Sequence, residues 1–240
     1  MITSASNPRL RLVRRLASSG QRERLGLFSC EGEDLIRAAL EAGLEPVDLL
    51  VDGERPPDGL PPGGEVEPGL LAELSVLGHP PRAIGVFRRE DLPRLESPDA
   101  PPVGLALWKV ADPGNIGTLL RAADGLGPAS VALSPGCADP TSPKALRASA
   151  GAIFRVPLGR FDDAGARRIA LVAQGETPLE SVELPARTTF VLGAERQGLP
   201  DDVLAGCDER ATIPLSPASE SLNVAIAGSI ALYEWSRRHR

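Results

Sequence analysis

The chain has 240 residues, enough for one or two domains with a substantial core. Its 26 Lys and Arg against 32 Asp and Glu leave a net charge of -6, so any contact with nucleic acid has to come from a local patch rather than a globally basic surface. Cys30, Cys137 and Cys207 stand far apart, only His79 and His239 accompany them, and no apolar run is long enough to span a membrane; a cytoplasmic, metal-free protein is expected.

Taken in order, Thr3-Ser4-Ala5-Ser6-Asn7-Pro8 signals a helix start, and Leu10, Val13 and Leu16 then recur on one face of a basic helix. Residues 1–26 hold six arginines against the single acid Glu23. Together with Arg237, Arg238, His239 and Arg240 they read either as solvated arms or as phosphate-contacting patches. Strands are predicted over 27–30, 47–51 and 83–87, and helices over 33–42 and 68–77. Residues 53–69, rich in Pro and Gly, predict an exposed loop. This gives a small α/β unit, residues 1–92, followed by a polar, proline-rich linker over 93–102.

The remainder, residues 103–240, alternates strand and helix. Apolar strands are predicted over 103–108, 130–133, 168–173, 189–192 and 212–215, and helices over 115–126, 142–150 and 199–205. Continuously apolar strands alternating with helices imply a mostly parallel sheet covered on both faces. The stretch 210–234 closes the chain as strand, polar loop and helix. Leu222, Ile226, Ile230 and Tyr233 make the expected apolar face of that helix, while Ala225, Ala227, Gly228 and Ala231 keep it thin.

Four places could carry chemistry. Asp112-Pro113-Gly114-Asn115-Ile116-Gly117 follows a strand and leads into a helix bearing Arg121. Lys144-Ala145-Leu146-Arg147-Ala148-Ser149 is a basic helix of small residues. Leu192-Gly193-Ala194-Glu195 delivers a carboxylate at the carboxyl end of a strand, where open α/β sheets hold ligands. Ser219-Glu220-Ser221-Leu222-Asn223 sets polar groups at a helix N-terminus, either as simple caps or as ligand contacts. None is a dinucleotide fingerprint or a phosphate-binding P-loop, which ranks a dinucleotide-dependent enzyme low.

Taken together, the runs 115–123 (NIGTLLRAA), 142–157 (SPKALRASAGAIFRVP), 192–199 (LGAERQGL) and 213–227 (IPL…ESLNVAIA) resemble the SpoU, TrmH-like, branch of the SPOUT RNA methyltransferases. The runs 2–8 and 28–32 are similar to the L30e-like RNA-binding domain often fused before it, although His79-Pro80-Pro81 departs from the turn many relatives carry. The resemblance implies a trefoil knot at the C-terminus, S-adenosylmethionine bound in that knot, and a homodimer with the active site at the subunit interface. It implies 2′-O-ribose methylation of RNA, ribosomal RNA before transfer RNA, with a non-catalytic RNA-binding protein of the same fold as the rival. By motif match, Arg121, Asn115, Glu195, Ser221 and Asn223 are the expected catalytic residues. Leu192, Gly193, Gly198, Ile213, Leu215, Leu222 and Asn223 are the expected cofactor contacts. Ala225 stands where relatives often carry Ser.

Overall fold

The structure, a computed structural model, describes residues 1–75, 80–96, 100–165, 167–173, 177–195 and 197–240. His79, Arg196, the end of the helix predicted over 68–77 and part of the predicted linker lie outside the described residues. The chain begins with α1 (Pro8–Leu16). Asn7 caps it by accepting the Arg9 N–H at 2.9 Å, and Pro8 fills the first helical position, where a missing N–H costs nothing. Leu10, Val13 and Leu16 are buried, as their spacing predicts. The next helix, α2 (Ser19–Leu25), has no predicted counterpart: its seven residues are too few to display a period.

Then follow β1 (Leu27–Glu31), α3 (Glu33–Glu41), β2 (Asp48–Asp52), β3 (Gly64–Val66), α4 (Pro68–Leu74) and β4 (Ala83–Arg88). The four strands form one sheet in the order β1-β4-β2-β3. Strand β3 corrects the expectation of a plain loop over 53–69: it pairs in parallel with β2 and buries Val66 completely.

The second half contains β5 (Val103–Leu107), α5 (Pro113–Leu126), β6 (Ala129–Leu133), α6 (Pro143–Ser149), β7 (Leu158–Arg160), β8 (Arg167–Leu171), β9 (Thr177–Pro178), β10 (Thr188–Leu192), α7 (Asp201–Ala205), β11 (Glu209–Thr212) and α8 (Val224–His239). Among the described residues its seven strands run in the order β7-β6-β5-β10-β8-β11-β9, each neighbouring pair parallel. This is the mostly parallel α/β sheet that the apolar strands predict. Edge strands β7 and β9 are too short for a sequence pattern to reveal. The last strand ends three residues before its predicted limit, so Ile213 and Leu215 lie just past its carboxyl end.

Central strands β5 and β10 are buried at every position. Phe190, Leu105 and Leu107 are completely inaccessible, each contributing roughly 1.5–3 kcal/mol of burial. Helices meet closely over this core because small residues sit at their crossings. A Cβ on Gly117 of α5 would lie 2.3 Å from the Ala145 carbonyl oxygen of α6, and one on Gly228 of α8 would lie 2.4 Å from Leu119 of α5.

The close fit at Gly228 reverses the predicted orientation of α8. Its buried residues are Val224, Ala225, Gly228, Ala231, Leu232, Trp235 and Ser236, whereas Ile226 is 51% and Tyr233 57% exposed. Leu222 precedes the helix altogether. Packing against α5 favours the thin face, so Ile226 and Tyr233 of the stripe expected to point inward lie outside, while Ile230 is half-buried against the core. Residues 93–95, within the predicted linker, run along β7: the Leu158 N–H donates to the Pro93 carbonyl at 2.9 Å, and the Leu95 N–H donates to the Leu158 carbonyl at 2.8 Å.

Candidate active site at the carboxyl edge of the large sheet

Strands β8, β10 and β11 end side by side, and the segments leaving them enclose a cavity of about 660 Å³. That size suits a small ligand of several tens of atoms. Leu192, Gly193, Gly198, Ile213, Leu215 and Leu222, all expected cofactor contacts, line it. Glu195 and Ser221 line it as well. Asn223, Asn115 and Arg121 do not.

Glycine is required where the cavity wall folds back on itself. A Cβ on Gly193 would lie 2.3 Å from the backbone of Gly198, and Gly198 itself has a φ of 64°. Ala194 and Gly198 bridge in antiparallel fashion across this turn. Sequence reasoning missed the end of β8: Leu171, Val172 and Ala173 complete the wall. The rule that ligands sit past the carboxyl ends of adjacent strands points to them.

At the rim, three loops are tied together by side chains. Asn115 Nδ2 donates to Glu195 Oε1 at 2.6 Å. Asn223 Nδ2 donates to Asn115 Oδ1 at 3.0 Å, while Asn223 Oδ1 caps α8 by accepting the Ala225 and Ile226 N–H groups at 2.9 and 3.3 Å. Asn115 therefore joins the start of α5, the turn after β10 and the start of α8. Asn223 is thus both the cap of α8 and part of the rim.

Asp112 caps α5 through the Gly114 N–H at 2.5 Å and the Asn115 N–H at 3.3 Å, and accepts from Lys144 Nζ at 2.9 and 3.1 Å. The hydrogen bond from Lys144 holds its carboxyl below the usual carboxylate range, against the opposing effect of desolvation and helped by both backbone donors. Lys144 is thus spent on fixing Asp112. Arg121 stands apart. It is exposed, nearly two helical turns beyond Asn115, with no hydrogen bond or ion pair among the described residues. Within one chain, Asn115 and Glu195 bond to each other and Asn115 to Asn223, not to Arg121.

The cavity's chemistry is specific in one respect. Its walls are largely aliphatic and backbone with the polar side chains of Gln197 and Ser221, and its charged lining groups among the described residues are two carboxylates, Glu195 and Glu220. Such a site suits a ligand with an apolar ring and a positive centre better than a polyphosphate. No group of His, Cys, Asp and Glu among the described residues could hold a metal ion. No helix among them is long and apolar enough to cross a membrane.

Comparison with known proteins agrees with this geometry. Residues 102–233 match the model of the SpoU rRNA methylase family. A Synechocystis protein named as an uncharacterized tRNA/rRNA methyltransferase is 33% identical over 261 residues, covering 99% of this chain and 93% of that one. The 23S rRNA (guanosine(2553)-2'-O)-methyltransferase RlmP of Bacillus subtilis is 28% identical over 244 residues, 97% of each chain. The crystal structure of the SpoU methyltransferase AviRb from Streptomyces viridochromogenes, in complex with the cofactor AdoMet, superimposes with a TM-score of 0.85 at 26% identity, covering 97% of this chain and 98% of that one.

Proposed function

The chain belongs to the SpoU rRNA methylase family, and we propose that it transfers the methyl group of S-adenosylmethionine to a ribose 2′-hydroxyl of RNA, ribosomal RNA before transfer RNA. The observation that carries this reading is the cavity at the ends of β8, β10 and β11, largely aliphatic and backbone-lined, with carboxylates as its charged groups among the described residues. A sulfonium ligand with an adenine ring matches that lining. Leu192, Ile213, Leu215 and Leu222 would flank the ring, and Gly193, Gly198 and their neighbours would offer backbone hydrogen bonds. S-adenosylmethionine, when bound, supplies a methyl group already activated for displacement.

The protein's own task is then to position and activate a weakly acidic hydroxyl. A guanidinium has five donors and no acceptor, so Arg121 serves as an anchor for phosphate and for the developing alkoxide charge rather than as a base. Asn115, Glu195 and Asn223 hold the rim in register and face the incoming ribose together with Ser221. Ribosomal RNA is preferred because the similarity to RlmP, which is named for 23S rRNA, runs the length of both chains.

The separation of Arg121 from its own chain's cavity supports a homodimer in which it approaches the cavity of a second copy. An apolar groove beside it, formed by Thr118, Leu126, Ile226, Ile230 and Tyr233, offers the contact surface. Residues 1–92 are taken as the L30e-like RNA-gripping unit, 93–102 as its connection, and 103–240 as the catalytic unit with its end threaded as a trefoil knot. A crystal structure with an unthreaded C-terminus would overturn the knot.

The direct test of function is transfer of label from S-adenosylmethionine to unmodified ribosomal and transfer RNA, followed by mass spectrometric mapping of the methylated ribose. Methylation of large-subunit ribosomal RNA is expected. A protein that binds S-adenosylmethionine yet methylates neither RNA would favour the non-catalytic RNA-binding rival.

A further inference from the structure

Resting on that reading, we propose that Asp139 is a positioning residue: with Arg22 and Arg89 it locks the amino-terminal sheet onto α6, and so sets where RNA gripped by the first unit meets Asn115 and Arg121. Asp139 lies in the segment after β6 with a side chain 15% exposed. It collects donors from three places. Arg22 Nε of α2 donates at 2.8 Å. Arg89, just after β4, donates to both carboxylate oxygens at 3.2 and 3.3 Å. Thr141 adds its N–H at 2.9 Å and its hydroxyl at 2.7 Å.

Each partner is itself fixed. Arg22 is only 3% exposed, and its second arm donates to the Leu16 and Ala17 carbonyls at the end of α1 at 2.8 and 2.9 Å. Arg89 also donates to the Thr141 hydroxyl at 2.9 Å. Thr141 is buried and adjoins Ser142, which caps α6. Helix α6 meets α5 at Gly117, two residues from Asn115. A chain of close contacts therefore runs from α1 and α2 through Asp139 to the helix that presents the rim.

An apolar seam lies alongside. Phe28 of β1 stacks on Phe154 at 6.4 Å, and a Cβ on Gly151 would lie 2.7 Å from that of Ala38 in α3. Apolar contact holds the two parts together but is indifferent to direction. Charge-assisted hydrogen bonds with defined geometry select one orientation. What they orient is visible on the same helices: Arg15 and Arg24 both donate to the neutral Gln21 Oε1, at 3.2 and 2.8 Å, and make no ion pair among the described residues. That leaves positive charge free for an RNA backbone. Misplacing a reacting group by about 1 Å can cost on the order of 100-fold in rate, so an orientation lock of this kind is read in turnover rather than in binding.

The test uses the full chain, an in-vitro transcript of large-subunit ribosomal RNA, and the variants Asp139→Asn, Asp139→Glu and Arg89→Gln. For Asp139→Asn the expected result is S-adenosylmethionine and RNA affinities within about 3-fold of wild type, kcat lower by about 10-fold or more, and methyl groups spread onto neighbouring riboses. Asp139→Glu is expected to restore a single site of methylation. Arg89→Gln removes only the outer arm and carries the test if Asp139→Asn fails to fold, with a drop of about 3-fold in kcat expected. Retention of wild-type kcat and of a single site in both charge-removing variants, or a rise in KM alone, overturns the lock while leaving the proposed function standing. A wild-type protein that methylates no RNA overturns both.

Discussion

Arg22 and Arg121 mark two regions that use the same side chain in opposite ways. At the seam between the sheets, Arg22 is buried and its donors are met by Asp139 and two backbone carbonyls. On α5, nearly two turns past the rim held by two asparagines and one glutamate, Arg121 is exposed without a partner among the described residues. A buried cation must be matched by the protein itself, because leaving it unpaired costs several kcal/mol. An exposed one can wait for a ligand. The seam therefore satisfies its charge internally, whereas Arg121 leaves its charge open to solvent.

Substitutions separate the two regions by the kind of loss they cause. The largest effect is expected from Arg121→Ala: methyl transfer to RNA falls by about 100-fold or more, while calorimetry finds S-adenosylmethionine binding unchanged. Full activity in that variant would remove Arg121 from the mechanism.

Gly193→Val should lose at least about 10-fold in S-adenosylmethionine affinity, since its Cβ would enter the backbone of Gly198 and the wall would have to shift. Titration calorimetry reads this directly; unchanged affinity would mean the cavity is not the cofactor site. Ile226→Asp places a charge in the apolar groove on the outer face of α8. Light scattering should report a shift from dimer to monomer with thermal stability little altered. A dimer of wild-type affinity would locate the subunit contact elsewhere.

The smallest effect concerns acid. Burial pushes the Asp139 carboxyl up, but the Thr141 hydroxyl, Arg89, the Thr141 N–H and Arg22 outweigh it and hold the carboxyl below its usual range. A depressed folded-state value stabilises the protein above the unfolded value, near pH 4, and that contribution fades as the pH falls through the folded value. Asp139→Asn should accordingly lower Tm at neutral pH and lose less further stability than wild type between about pH 5 and pH 3. Parallel acid curves for the two proteins would show that the ion pair contributes nothing.

Much of the architecture is legible in the chain without coordinates. Short apolar runs such as those over 103–108 and 189–192, set between turn signals and helices, read as fully buried strands, and they occupy the centre of the parallel sheet. The glycine turn after Leu192 and the polar run before Val224 point to the ligand edge, because local backbone requirements and capping chemistry are written in adjacent residues. The elements that escape are those too short to show a period, α2, β3, β7 and β9.

Tertiary structure alone decided three matters. Periodicity finds the stripe Ile226, Ile230, Tyr233 but cannot say which face of α8 is inside; close packing of Gly228 on Leu119 chose the small residues. The bond from Asn223 to Asn115 joins residues 108 apart in sequence, and that from Arg22 to Asp139 joins residues 117 apart. Neither pairing has a local signature. A sequence specifies which residues need burial, a turn or a partner over the next few positions; which distant partner meets that need is settled only when the sheets and helices close on one another.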